Sequence, residues 1–176
     1  MRKPGAIDIA TALALVLMAV TAALSSAGFG QPSVQRRDFL TVKEVEVLQY
    51  AQRIDLRIRM LTGAAERRFA LLGATVRGRQ EWKDWGEPPV GTREELLRDI
   101  DRILLKAIDD LDYAATEDTS SKFFRNAFSA LGAACLDYEK NLRTLMDKAE
   151  SDRERGVILS SLERCGQVAE ASSKLN

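Results

Sequence analysis

The chain has 176 residues, with 26 basic and 26 acidic side chains, no histidine, two cysteines and 45% hydrophobic residues. Balanced charge offers no overall field for nucleic acid or an anionic membrane. The lack of histidine removes the usual general base, the Ser–His and Cys–His nucleophile pairs and the commonest transition-metal ligand.

The first 27 residues carry the three regions of a secretory signal peptide. Arg2 and Lys3 make a positive start, residues 9–24 form an apolar run, and Ser25-Ser26-Ala27 supplies small residues for a peptidase that cuts between Ala27 and Gly28. As a helix, that run rises roughly 24 Å, short of the ~30 Å hydrocarbon core. Export is therefore expected, to the periplasm or beyond, with no stable membrane anchor after cleavage. The rival is an anchor through uncleaved residues 9–24. The only cysteines are Cys135 and Cys165, so no lipid-attachment cysteine stands at the cleavage site. Arg36-Arg37-Asp38-Phe39-Leu40 imitates a twin-arginine motif, but charged Lys43, Glu44 and Glu46 follow it where an apolar run is needed.

Residues 28–40 read as a flexible lead-in and 41–174 as one domain. Helix signals dominate there. Thr41-Val42-Lys43-Glu44, Thr92-Arg93-Glu94-Glu95 and Ser151-Asp152-Arg153-Glu154 fit the capping box, in which the hydroxyl accepts from the backbone three residues on and the carboxylate reaches back. Residues 53–60 alternate at strand period, yet only residues 42–47 could pair with them and no tight turn intervenes. The segment is read as helix, with a break near Gln52–Asp55, because one helix over 41–77 would run about 55 Å, too long for its partners.

Ile58, Leu61, Ala65, Phe69, Leu72 and Val76 form one apolar stripe, and Leu97, Ile100, Leu104, Ile108 and Leu111 a second. Phe124, Phe128, Leu131, Cys135, Tyr138, Leu142, Leu145 and Ala149 alternate spacings of four and three, as in a helix packed lengthwise on its neighbours. Ile158, Leu162, Cys165 and Ala169 continue that alternation, and the short gap at 149–152 forces an antiparallel hairpin. The predicted fold is all-α: an antiparallel bundle of about four long helices with an extra N-terminal helical segment.

Cys135 and Cys165 lie equally far from Glu150 at the hairpin turn, on the seams of their helices, with Gly132 and Gly166 beside them. A disulfide is expected in an oxidising compartment, worth roughly 3–4 kcal/mol on the chain-entropy model. The alternative is two buried free thiols. The long loop, about residues 78–92, holds both tryptophans. Glu81, Trp82, Asp84, Trp85 and Glu87 are the candidate binding residues, since indoles beside carboxylates can stack on a sugar ring or a partner's apolar side chain. The preferred reading of the same residues is a loop folded over the bundle end with the indoles plugging the core.

Residues 36–83 carry 11 basic against 6 acidic side chains and residues 84–118 carry 4 against 11, so the two segments are expected to pack with their charges facing. Asp109, Asp110 and Asp112, near Asp99, Asp101, Glu117 and Asp118, read as a solvated face, because adjacent helical residues diverge and calcium needs converging oxygens. Arg53, Arg57, Arg67 and Arg68 lack the interleaved aromatics of a nucleic-acid surface.

The opening Arg37-Asp38-Phe39-Leu40-Thr41, then Glu44-Val45-Glu46 and Ala51-Gln52, resembles that of an uncharacterised group of exported helical proteins from Acidobacteria. In that group a similar start precedes an arginine-rich helix and a bundle. The resemblance implies export and an all-helical fold and attaches no activity, cofactor or site residue. The tryptophan loop stands outside it.

The expected function is a non-catalytic module that binds an envelope protein or cell-wall component, with no cofactor, no metal and no catalytic residues. A homo-oligomer is compatible with the sequence. The alternative is a small-ligand or cell-wall-glycan binder acting through Trp82 and Trp85, and a carboxylate-based hydrolase ranks below both.

Overall fold

The computed structural model describes residues 37–76 and 84–174, so the signal-like segment and its cleavage site lie outside the described residues, as do Glu81 and Trp82. Among the described residues there are five helices and no strand: α1 (Val42–Tyr50), α2 (Ile54–Leu71), α3 (Arg93–Glu117), α4 (Lys122–Met146) and α5 (Asp152–Ser173). None is long and apolar enough to cross a membrane.

The helices start where hydroxyl caps stand. Thr41 and Thr92 each accept from the backbone three residues on, while Glu44 and Glu95 bond back to the cap N–H, so both boxes close. The third is half a box. Ser151 accepts from the Glu154 N–H at 3.1 Å, but the Glu154 carboxylate bonds the Glu150 N–H at 3.0 Å and pairs with Arg93 at 3.1 Å. The cross-helix arginine holds that carboxylate away from its own cap.

The expected break falls at residues 51–53, and it is a full reversal. Glu44 at the start of α1 pairs with Arg67 and Arg68 near the end of α2, so the two helices run antiparallel. α2 ends earlier than its apolar stripe suggests. Gly73 takes φ 78°, where a side chain would be strained, its N–H bonds Ala70 O, and the Ala74 N–H bonds Phe69 O at 2.9 Å. Val76 therefore packs from an irregular segment.

α2 through α5 form the bundle. Arg57 at the start of α2 meets Asp110 near the end of α3, and Arg68 lies 3.6 Å from Asp99, so α2 and α3 are antiparallel. α3 and α5 are parallel: Arg93 pairs with Glu154, and Asp101 with Arg164. α2 and α4 are also parallel, since Arg53 lies over Phe123 and the Tyr138 hydroxyl donates to Thr62 O at 2.9 Å. α4 and α5 close the square as the predicted hairpin, which leaves α3 and α4 on a diagonal. The core follows the stripes: Ile58, Leu61, Phe69, Leu97, Ile100, Leu104, Leu131, Leu142 and Ile158 are all essentially inaccessible. Each such side chain contributes roughly 1.5–3 kcal/mol by burial.

Candidate functional site

The end of the bundle that carries the tryptophan loop is built from buried charge. Glu44 Oε1 accepts from Arg67 at 2.8 Å and from Arg68 at 2.5 Å. Arg67 also donates to the carbonyls of Trp85, Gly86 and Glu87, and Arg68 to those of Ala64 and Phe39. Two arginines thus fasten the lead-in, α1 and the loop onto α2. This cluster is the main feature that sequence reasoning missed. An Arg-Arg pair reads as a solvated face, and its acidic partner lies more than twenty residues upstream.

The loop residues divide accordingly. Trp85 is 7% exposed and belongs to the hydrophobic core, the plug position and not a surface stacking platform. Asp84 and Glu87 are exposed, and Glu87 contributes its backbone carbonyl to Arg67. Glu81 and Trp82 fall outside the described residues.

Cys135 and Cys165 do meet at the α4–α5 seam, both fully buried, but as free thiols that are not at disulfide distance. The expected disulfide is thus not present in this structure. A hydrogen bond with Cys135, followed by burial, pushes the Cys165 thiol well above the ordinary range. Of the two neighbouring glycines only Gly132 marks a close approach: a Cβ there would lie 2.5 Å from Ser172 Oγ, whereas one at Gly166 would make ordinary contact with Glu139.

Elsewhere polar side chains bridge helices. Asp101 Oδ1 receives Ser160, Ser161 and Arg164 at 2.9, 3.3 and 3.0 Å, which ties α3 to α5. Among the described residues no three carboxylate or thiol side chains converge as a metal site requires.

The opposite end of the bundle holds a groove of about 510 Å³ between the α1–α2 and α3–α4 turns. Ala51, Ile54, Ala114, Phe123 and Phe124 give it an apolar floor, and Asp110, Tyr113, Glu117 and Asp118 form a wall. Asp110, Tyr113, Ala114 and Glu117 share one face of α3 by helical spacing. Arg57 crosses the groove to Asp110 at 2.8 Å, and Lys106 pairs with the same carboxylate. Ser120 donates its N–H and hydroxyl to Asp118 Oδ1 at 2.8 and 2.6 Å, which lowers the Asp118 carboxyl below its usual range. Sequence reasoning had the acidic residues but not the groove, which needs the diagonal α3–α4 turn to stand beside the α1–α2 reversal.

Fold and groove together define an all-helical bundle with an apolar, carboxylate-walled recess at one end. No protein-family model, curated protein or solved structure matches the chain.

Proposed function

We propose that the chain is an exported, non-catalytic binding module, and that it meets an envelope protein at the groove between the α1–α2 and α3–α4 turns. One observation carries this reading: at the end of the bundle a groove has an apolar floor, with Ile54, Ala114 and Phe123 partly exposed over the buried Phe124, and a carboxylate wall. Apolar surface rimmed by polar residues marks interaction sites. The export half rests on Arg2, Lys3, the apolar run 9–24 and Ser25-Ser26-Ala27.

Export places the cysteines in an oxidising compartment, where Cys135 and Cys165 close to a disulfide while the chain folds. The glycan-binding alternative draws less support, since one of its two indoles is core.

The test is a photo-reactive benzoylphenylalanine in place of Tyr113, which is 70% exposed on the groove wall. Irradiated in the native envelope, it gives a discrete heterologous adduct that the same group at exposed Arg143, near the other end of α4, does not give. Identical adducts from both positions, or none from Tyr113, sink the reading.

A further inference from the structure

The carboxylates around the groove are unequal. Asp110 is engaged by Arg57 and Lys106. Glu117 makes no ion pair among the described residues; Asp118 is bonded by the Ser120 hydroxyl and N–H and by the Ser121 backbone, with Arg125 near enough to lower its carboxyl further. The last turn of α3 carries no basic residue, so the negative end of its helix dipole adds to both carboxylates. Across the groove, the Phe123 ring is already covered by Arg53 at 4.3 Å and Lys122 at 5.2 Å. A further cation is therefore directed to the Glu117–Asp118 side and not to that ring.

The rim is also aromatic. Of the chain's three tyrosines, Tyr138 is buried and the other two are exposed. Tyr113 lines the groove, and Tyr50, 86% exposed, precedes the lining residue Ala51 in the chain. Tyrosine is enriched at protein interfaces, where a rigid ring supplies contact area beside a polar tip. Small-molecule sites bury about 70–90% of their ligand. Gln52, Tyr113, Glu117 and Asp118 are all exposed here, so an occupant lies along the groove and stays partly in solvent.

We infer that the occupant is a segment of the partner protein that presents an arginine or lysine between apolar residues. Its basic group meets Glu117 and Asp118, and its apolar flanks cover Ile54, Phe124 and Tyr113. The inference rests on the proposed docking function and names the chemistry of what docks.

The test titrates the isotope-labelled full chain with acetyl-Leu-Arg-Leu-Phe-amide, with its citrulline counterpart, and with benzamidine, and follows backbone amide shifts. The arginine peptide is expected to move amides within 50–57 and 110–124. The citrulline peptide, equal in shape and uncharged, binds about fivefold more weakly, a gap that closes as added salt screens exposed charges. The double variant Glu117→Gln, Asp118→Asn alters two exposed side chains and leaves the circular dichroism unchanged. It is expected to weaken the arginine peptide to the level of the citrulline peptide and to leave the latter's binding unaltered. Equal binding of the two peptides, shifts centred elsewhere, or benzamidine binding as tightly as the arginine peptide overturns the inference. A Tyr113 adduct with a partner, combined with charge-blind peptide binding, removes this chemistry and spares the docking site. Charge-selective peptide binding without any adduct does the reverse.

Discussion

The Glu44 carboxylate and the Arg68 guanidinium meet at 2.5 Å with 1% of each side chain exposed. The same carboxylate serves Arg67 and closes the cap of α1. Removing one partner of a buried pair leaves the other charge without compensation and costs about 3–5 kcal/mol. Glu44→Ala leaves two arginines short of their shared acceptor, so urea unfolding is expected to show a loss of at least that size. Glu46→Gln, two residues on, breaks only the exposed Lys43 pair and is expected to change stability by less than about 1 kcal/mol. Similar effects of the two substitutions would mean that the buried cluster does not hold α1 in place.

Trp85 separates a core role from a surface role for the loop. It packs in the hydrophobic cluster, and its carbonyl accepts from Arg67 at 3.2 Å. Trp85→Ala is expected to cost about 3–5 kcal/mol, the range for emptying an aromatic site. Trp85→Phe, which keeps the ring and the backbone bond, is expected to lose less than half of that. A Trp85→Ala variant as stable as the parent would return the indole to the surface.

These two sites also show how far the sequence could be read. Capping boxes and heptad-like stripes located α1, α3 and α5 and the seam of α4, because local backbone chemistry and helical period are written in neighbouring residues. Equal distance from the hairpin turn brought Cys135 and Cys165 to the same height for the same reason. What escaped depends on contacts distant in sequence. Glu44 and Arg68 look like surface charges until α1 folds back along α2. Asp99 is 3% exposed, and Asp101 and Asp110 on the same helix are engaged across to α5 and α2. The groove exists only because the α3–α4 connection follows the diagonal and stands beside the α1–α2 turn.

Tyr138 gives the fold an alkaline limit. Burial, with Glu66 as the next cause, raises its hydroxyl well above the usual tyrosine value, and the hydroxyl donates to Thr62 O. Above about pH 10 an unfolded tyrosine releases its proton while the native one keeps it, so the unfolded state binds fewer protons and stability falls as pH rises. Below that pH this group adds no slope. Tyr138→Phe is expected to lose about 1 kcal/mol at neutral pH from the hydrogen bond. Between pH 10 and 11 its stability should decline more gently than the parent's, by up to about 1.4 kcal/mol per pH unit. Parallel stability curves for parent and variant would show that Tyr138 is not what titrates.

The two thiols make the timing of oxidation measurable. Thiolate, not thiol, attacks a disulfide oxidant. Cys165 is held protonated by its bond with Cys135 and by burial, and neither sulfur is accessible in the folded bundle. Oxidation therefore belongs to the open chain. Folded, reduced protein is expected to leave a thiol-reactive dye unreacted over minutes, and denatured protein to consume two equivalents. Refolding with glutathione disulfide should transfer two electrons and two protons to the glutathione, giving a chain lighter by two hydrogens and a peptide joining Cys135 to Cys165. Closure of a loop of this length adds roughly 3–4 kcal/mol over the reduced form. The α4–α5 seam must then tighten near the point where a Cβ at Gly132 would already collide with Ser172. Two free thiols after oxidative refolding would show that this packing prevents closure, and rapid dye reaction of the folded protein would show that the seam is open.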